Sequence, residues 1–322
     1  MALELRQMRQ MLMLAELGSF ARAAVVLRLS QPALSRSIQT LEQQAGGALF
    51  LRSSAGVVPT DLGRVLLQRA RDLVQMADEL EMALHAKGAQ QTGQLCVGSG
   101  PYPIETVITP ALTRFIAEHP LVSVRLLSAD WDQLLQRLRA RELDFFVAET
   151  STLSHEADLL VEALPEHALY FVGRTGHPLL SGGKRSVSPE DALAFPFAAP
   201  ARIPPRLLAP MLAAKAKLSD SLAAARPFPS IECNVVAAVK RIVAGSDTLS
   251  ALTLSCLASE LEDQRLALIG SQSWMTLRYG LVSLKDRPLS MPALRMREFI
   301  LAAEAEVAVE EERLRARWLG LA

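Results

Sequence analysis

Polar side chains at helical spacing between residues 31 and 43 could recognise DNA bases. Ser35, Arg36 and Gln39 share one side of a predicted helix, with Gln31 at its N-terminal edge and Gln43 further along. In a major groove, Arg favours guanine and Gln favours adenine. The opposite side is apolar and must face a core, since it carries Leu34, Ile38 and Leu41. An ordinary surface helix remains an alternative, because such patterns also recur by chance.

The elements that would position this helix are also present. Ser19 is placed to cap a preceding helix, in which the small pair Ala23-Ala24 would allow close helix packing. Ser30 is placed to cap the predicted helix of residues 31–43, which we call the reading helix. Pro32 falls in its first turn, where a missing N–H costs little. Upstream, a further helix is predicted from the spacing of Leu5, Met8, Leu12 and Ala15.

A two-stranded wing is predicted after the reading helix. Gly46-Gly47 ends the helix, and residues 48–60 suggest two short strands that turn at Gly56. Arg52 would touch a backbone phosphate. Residues 1–59 are thus predicted to form a winged helix-turn-helix. Its predicted DNA contacts are Ser30, Gln31, Pro32, Ser35, Arg36, Gln39 and Arg52.

Residues 60–92 are predicted to form a long helix followed by a polar hinge. Thr60 is a natural N-cap, and apolar residues follow at alternating spacings of three and four. Such a seam needs a partner, and a second copy of the chain is favoured over packing on its own domains. The residues predicted to dimerise are Leu62, Leu66, Leu73, Met76 and Leu80.

Residues 93–302 alternate strands and helices, which predicts an α/β fold with parallel strands. We expect two lobes, 93–163 with 268–302 and 164–267, joined by crossing segments near 160–166 and 266–270. Ligands of such folds bind beyond the carboxyl ends of strands. The effector residues predicted there are Ser99, Gly100, Tyr102, Asp130, Glu149, Pro200, Arg202, Ser246 and Thr248.

The ligand of this cleft is predicted to be a small anion. A helix begins soon after Ser99, so the Ser99 hydroxyl and free backbone N–H groups would face the cleft. Arg202 could pair with the same anion. The alternatives are a helix cap for Ser99 and a solvated side chain for Arg202. Asp130 and Glu149 would repel an anion unless they accept hydroxyl groups, so they leave the ligand's charge open.

The chain resembles the LysR-type transcriptional regulators through GSFARAAVVLRLSQPALSRSIQTLEQQAGGALFLR and GVVPTDLG, residues 18–52 and 56–63. It departs from their pattern at Ala45 and Pro59, both away from the reading face. Residues 93–302 are similar to their effector domain, best at HPLL and VAGSDTLSALT, although a second glycine usual near Asp247 is absent. The resemblance implies a homodimer that assembles into a tetramer, an effector that shifts the two lobes, and contact with RNA polymerase.

Other functional classes find little support in the sequence. The isolated GSG of residues 98–100 is not a nucleotide fingerprint, and the five His residues lack metal-ligand spacing. We therefore expect no enzyme activity, cofactor or metal. A solute-binding sensor or a ligand-independent regulator is the alternative function. No signal peptide or apolar span is evident, so we expect a cytoplasmic protein and no membrane partner.

Composition and the remaining features agree with this interpretation. The 322 residues carry no net charge overall, but residues 1–60 hold six Arg against three Glu. That modest surplus suggests that tight DNA binding needs several modules.

The isolated Cys96, Cys233 and Cys256 are interpreted as inert thiols rather than a redox switch. Residues 303–322 are predicted to form a charged helix that caps the effector domain or meets another subunit.

Overall fold

A computed structural model describes residues 4–53, 56–85, 93–153, 156–181, 187–200, 202–218 and 221–320. The chain forms two compact units, Met1–Gly93 and Gln94–Ala322. The described elements of the first unit are α1 (Leu5–Leu17), α2 (Phe20–Val26), α3 (Gln31–Ala45), β1 (Phe50–Ser53), β2 (Gly56–Pro59) and α4 (Asp61–His85).

The capping residues fix the ends of α2 and α3 where the sequence predicted them. The Ser19 hydroxyl accepts the N–H of Arg22, and the Ser30 hydroxyl accepts the N–H of Ala33. Gly46 ends α3 in the left-handed conformation, with φ of 74°. The apolar sides of these helices meet in one core, which includes Met8, Met11, Leu14, Ala23, Leu34, Ile38 and Leu41.

The wing is an antiparallel pair of strands held against the helices by two anchors. The Glu42 carboxylate accepts the N–H groups of Leu49 at 2.8 Å and Phe50 at 3.3 Å. The Val57 N–H donates to the Gly18 carbonyl at 2.9 Å. Gly56 has φ of 116°, and a Cβ there would lie 2.8 Å from the Gly18 oxygen. Only glycine therefore fits where the wing approaches the α1–α2 turn.

Helix α4 begins at the predicted cap. The Thr60 hydroxyl accepts the N–H of Gly63 at 2.9 Å and donates to the Ala48 carbonyl at 2.8 Å. Leu67 and Ala70 of α4 are buried in the core of the first unit. The beginning of the helix is thereby fixed to the winged helix-turn-helix.

The second unit alternates strands and helices. Its described elements are β3 (Gly93–Ser99), α5 (Pro101–Pro103), a π-helical turn (Ile104–Ile108), α6 (Thr109–Glu118), β4 (Val122–Ser128), α7 (Trp131–Arg139), β5 (Phe145–Glu149), β6 (Leu159–Arg174), α8 (Pro178–Ser181), α9 (Pro189–Leu193), β7 (Ala198–Ala199), α10 (Pro205–Lys215), α11 (Ser221–Ala225), β8 (Ile231–Glu232), α12 (Val236–Ala244), β9 (Ser250–Thr253), α13 (Leu254–Glu262), β10 (Leu266–Gly270), β11 (Thr276–Leu284) and α14 (Met291–Leu319).

One curled, mixed sheet joins the two lobes. Its strand order is β10-β6-β11-β5-β3-β4, with β9 also paired to β6. Strands β3 and β5 are parallel, as predicted, whereas β11 runs antiparallel to both β5 and β6. The short parallel pair β7-β8 lies in the second lobe and meets Leu249, just before β9, through a bridge at Phe197.

The crossing segment predicted near 160–166 lies within a strand. Those residues belong to the continuous strand β6, whose first part pairs with β11 and whose second part pairs with β9 and β10. The backbone of this segment is therefore hydrogen-bonded to its neighbouring strands. The second segment, 266–270, is strand β10.

Helix α14 is longer than expected. The charged helix predicted over 303–322 is the second part of one 29-residue helix that runs from Met291 to Leu319. Glu304, Glu311 and Leu314 are buried within the second unit, and Arg317 pairs with Glu262 of α13 at 2.8 Å. The tail therefore covers part of the second unit.

Candidate functional site

The outward face of α3 presents the predicted base-reading side chains to solvent. Gln31, Pro32, Arg36 and Gln39 are exposed, and Ser35 is half-buried. Ser30 is also exposed but is engaged as the cap of α3. On the buried side, Ser37 donates to Gln10 of α1, which fixes the rotation of α3. The polar face is therefore held outward by both core packing and a polar anchor.

The backbone of the wing is described, but the side chain of its Arg52 is not. Arg52 pairs with Val57 across the β1–β2 hairpin, and its side chain lies outside the described residues. Its proposed phosphate contact thus stays a prediction. The sequence reasoning missed Glu42 as the wing's anchor; a carboxylate just ahead of Gly46-Gly47 was the available signal.

The predicted dimer seam lies beside the buried residues of α4, and its Leu66 packs partly against the core of the first unit. Leu62, Leu73 and Met76 are 42%, 49% and 62% exposed, and Leu66 is half-buried. The Leu80 side chain lies outside the described residues. The exposed residues form an apolar stripe beside the buried stripe that includes Leu67 and Ala70. Exposed apolar residues at this spacing are suited to a partner helix.

The second unit contains a cleft with about 750 Å³ of empty space, part of it open to solvent. It is bordered by the ends of β3 and β5 and the start of α7 in one lobe, and by β6, β7, β9 and α10 in the other. Most of its lining is apolar, and many of these side chains are large: Trp131, Phe171, Phe197, Leu207, Met211, Phe228, Met275, Leu277 and Tyr279.

Six of the nine predicted effector residues line this cleft. They are Gly100, Tyr102, Asp130, Glu149, Pro200 and Arg202. The Tyr102 hydroxyl donates to the Ala251 carbonyl at 2.9 Å, which links the lobes. Burial raises the pKa of Tyr102 far above its ordinary value, so this phenol stays protonated.

The charged groups of the cleft are held by protein partners. Arg202 pairs with Asp132 at 2.6 Å, its guanidinium lies 5.6 Å from the Trp131 ring centroid, and its backbone N–H donates to Asp130 at 3.0 Å. The Glu149 carboxylate accepts from Arg206 at 3.0 Å and from the backbone N–H of Arg278 at 2.9 Å. The contacts made by Arg202 and Arg206 also bridge the lobes.

Three predicted residues do not reach the cleft lining. Ser99 is fully buried, and its hydroxyl donates to the Gly100 carbonyl at 2.9 Å, contrary to the expectation that it would face a ligand. Ser246 and Thr248 bond to each other at 2.9 Å in the turn before β9. In this turn Ser246 also donates to the Ile242 carbonyl at 2.8 Å, so local contacts occupy the hydroxyl.

The sequence reasoning missed Arg206 and the aromatic lining. Arg206 lies on α10, which begins at the second of two consecutive prolines, and reaches Glu149 in the other lobe. Its pairing joins residues 57 positions apart. Such long-range contacts leave no local spacing signal. The apolar residues, in contrast, were indistinguishable in the sequence from core residues.

A buried charged cluster lies directly behind the cleft-lining Tyr279. The His167 ring is 5.1 Å from the Tyr279 ring. Its Nε2 lies 2.6 Å from Glu304 Oε1, and its Nδ1 lies 3.0 Å from Glu311 Oε2. Burial alone would lower the pKa of His167, but hydrogen bonds to the two carboxylates outweigh it and raise that pKa to about 9. The imidazolium therefore joins β6 to α14.

Catalytic or metal chemistry finds no support within the described ranges. Among those residues no group of His, Cys, Asp and Glu is arranged to hold a metal ion, and no described helix is long and apolar enough to cross a membrane. His177 is buried against Phe195, and its Nε2 lies 3.2 Å from the Asp247 carbonyl oxygen. Burial raises the pKa of Cys256 to about 12, which opposes thiolate formation.

Two family models match the chain over most of its length. Residues 5–64 match "Bacterial regulatory helix-turn-helix protein, lysR family", and residues 88–305 match "LysR substrate binding domain". The first match contains the helix-turn-helix, the wing and the start of α4. The second contains both lobes of the cleft and ends within α14.

Known proteins resemble the chain from end to end. The "SDS degradation transcriptional activation protein" of Pseudomonas sp. (strain ATCC 19151) is 38% identical over 305 residues, which cover 94% of this chain and 97% of that protein. A full-length OxyR variant from Pseudomonas aeruginosa has a TM-score of 0.69 and 20% identity, covering 94% of this chain and 95% of that one. Full-length CbnR complexed with its target DNA has a TM-score of 0.60 and 19% identity, covering 94% and 100%. At these identities, the two structures establish the fold.

Proposed function

The chain belongs to the LysR family of transcriptional regulators, and we propose that it reads promoter DNA through the outward face of α3. The exposed Arg36 and Gln39, presented beside the wing, are the observation that carries this proposal. Arg is suited to the two acceptors of guanine, and Gln to adenine. Arg52 would add a backbone phosphate contact, and Ser30 would position the start of the helix.

The test of this proposal begins with DNA sites selected by the protein from a random-sequence pool. Arg36→Ala should lose about 1–3 kcal/mol of binding free energy on a selected site and less on scrambled DNA, measured by fluorescence anisotropy at fixed salt. Arg6→Ala is the matched control, because it removes an exposed arginine from α1. Equal losses by Arg36→Ala on both DNAs would reduce Arg36 to a phosphate contact.

The proposed assembly is a homodimer formed through the α4 seam, with two dimers forming a tetramer on an imperfect palindrome. The exposed Leu62, Leu73 and Met76 support a partner helix along this stripe. Linking DNA-binding modules would raise the weak affinity expected from the small positive surplus of residues 1–60. Selected DNA should then contain paired half-sites, and footprints should cover both.

The proposed effector binds the cleft between the lobes in the cytoplasm and alters DNA binding and contact with RNA polymerase. The cleft-bridging contacts of Arg202 and Glu149 support this, because a bound molecule that changes them would favour one lobe arrangement. The anionic class predicted from the sequence finds less support, since Ser99 is turned away and Arg202 is already paired.

The name of the Pseudomonas relative links that protein to SDS breakdown and to activation of transcription. We carry both to this chain as a proposal: it activates genes for breakdown of an amphiphilic compound. The test compares all transcripts in cells with and without the gene for this protein, both grown with an alkyl sulfate or the corresponding alcohol. The same transcript levels in the deletion strain as in the parent strain would contradict the proposed activation.

A further inference from the structure

We propose that the cleft of the second unit binds an uncharged ligand with an apolar body and a single hydroxyl group, such as a medium-chain alcohol. This inference rests on the proposed function of the cleft as the effector site and specifies its ligand class.

The apolar body is inferred from the lining. Phe171, Phe197, Leu207, Met211 and Phe228 present large apolar side chains to the cleft. Burying apolar ligand surface against them is favourable, whereas a ligand with many polar groups would lose hydration there without replacement partners. The lining therefore selects a ligand that is polar at one end at most.

The start of α5 is a poor anion site. Helix N-termini bind anions through free backbone N–H groups. Here Pro101 and Pro103 have no N–H, and the Gly100 N–H already donates to the Val147 carbonyl at 2.8 Å. The Ser99 hydroxyl is also used within the protein. The donors expected for a carboxylate or sulfate are therefore largely absent from this described segment.

The charged residues of the lining also disfavour an anion. Asp130 and Glu149 are two carboxylates against the single guanidinium of Arg202. Arg202 is neutralised by Asp132 at 2.6 Å, so an anion would have to displace that partner. Both lining carboxylates can still accept a further hydrogen bond, because each carboxylate oxygen has more than one lone pair. A ligand hydroxyl is the donor that fits.

A charged amine would also donate to these carboxylates, but its desolvation favours a neutral group instead. Glu149 is paired with Arg206 at 3.0 Å, and Asp130 accepts the backbone N–H of Arg202 at 3.0 Å. An ammonium group would lose its hydration on entering an apolar cleft in which Glu149 already has a cationic partner. An alcohol gains the same hydrogen bond with a smaller desolvation penalty.

The experiment uses the full chain and four matched probes: octan-1-ol, octanoate, octyl sulfate and octylammonium. The charged probes are kept below their micellar concentrations, and octan-1-ol is kept below its solubility limit. Binding is followed by intrinsic fluorescence, since Trp131 lines the cleft. We expect saturable binding of octan-1-ol with a Kd at least tenfold below those of the three charged probes. Heptan-1-ol should bind about fourfold more weakly than octan-1-ol, the effect of one buried methylene.

Two variants locate the binding. Ala251→Leu intrudes into the cleft from β9 and should weaken octan-1-ol binding at least tenfold. Ala237→Leu adds the same bulk to an exposed position of α12 and should leave the Kd unchanged. Circular dichroism shows whether both variants are folded. If Ala251→Leu is not folded, Ala199→Val takes its place, because it adds a smaller side chain at another position that lines the cleft.

The outcomes separate the ligand class from the proposed function. The neutral ligand class is overturned if octan-1-ol does not bind saturably. It is also overturned if octanoate, octyl sulfate or octylammonium binds more tightly than octan-1-ol. Equal binding by Ala251→Leu and Ala237→Leu overturns the location. Anisotropy with selected DNA is measured on the same samples. Failure to prefer selected over scrambled DNA would count against the proposed function, whereas intact preference without octan-1-ol binding would count against the ligand class alone.

Discussion

The stability of the second unit should fall as pH rises from 6.5 to 9, because of His167. Its side chain is 2% exposed and lies between Glu304 and Glu311, which are 2% and 6% exposed. A folded-state pKa of about 9, against 6.5 for the unfolded residue, corresponds to about 3 kcal/mol of stabilisation. One oxygen of Glu304 has no hydrogen-bond partner among the described residues, so the imidazolium is its main compensation.

The sign follows from the direction of each pKa change. The His167 pKa is raised, so its contribution is fully present below about pH 6.5 and is lost as the pH passes through about 9. Burial would raise the Glu311 pKa, but hydrogen bonds from His167 and Ser255 lower it below 4.5. The contribution of Glu311 is therefore lost in acid. The cluster contributes most between the two ranges, in mildly acidic solution.

Urea unfolding followed by tryptophan fluorescence measures this effect. All three tryptophans, Trp131, Trp274 and Trp318, belong to the second unit, so the signal reports that unit. The free energy of unfolding should fall by about 3 kcal/mol between pH 6 and pH 10 through this cluster. His167→Leu should cost about 3–5 kcal/mol at pH 6, because two buried carboxylates lose their counter-charge.

A variant in which the His167 cluster is replaced by apolar side chains separates the effect of losing the charge from the effect of changing the side-chain volume. His167→Leu combined with Glu304→Met and Glu311→Met should recover much of the lost stability, since an apolar cluster needs no counter-charge. It should also lose the alkaline decline. An alkaline decline in His167→Leu as steep as in the wild type would refute the assignment of that decline to His167.

Two further predictions concern the first unit. Gly63→Ala would place a Cβ 2.1 Å from the Leu49 carbonyl oxygen and should destabilise the wing by about 1–3 kcal/mol, seen as a lower melting temperature and weaker DNA binding. Gly47→Ala meets a flexible side chain at 3.2 Å and should cost less; equal costs would contradict the steric account. Leu73→Glu should convert the proposed dimer to a folded monomer in light scattering, whereas Gln68→Glu, away from the seam, should not. A dimer in both would place the interface elsewhere.

Local signals predicted much of the first unit. Ser19, Ser30 and Gly46 mark helix ends through short-range hydrogen bonds and backbone conformation, so their roles could be inferred from nearby residues. The hold of Glu42 on Leu49 and Phe50 was not inferred, because the intervening chain must bend back before the carboxylate meets those N–H groups.

The second unit was predictable in its strand ends and less so in its side-chain directions. Gly100, Asp130 and Glu149 lie at or just after the ends of strands that end at the cleft, and they line it. Ser99 is fully buried, and its hydroxyl donates to the Gly100 carbonyl. Arg206 and the His167 cluster depend on partners distant in sequence. Their contacts appear only when the lobes and α14 come together.

The most direct test of the account is the affinity of the full chain for a selected DNA site relative to a scrambled sequence of equal length and base composition. Both are measured by anisotropy at the same physiological salt concentration. We expect a preference of at least about a thousandfold, typical of specific regulators, and a large reduction of that preference by Arg36→Ala. Equal affinities of the wild-type protein for the two DNAs would contradict it.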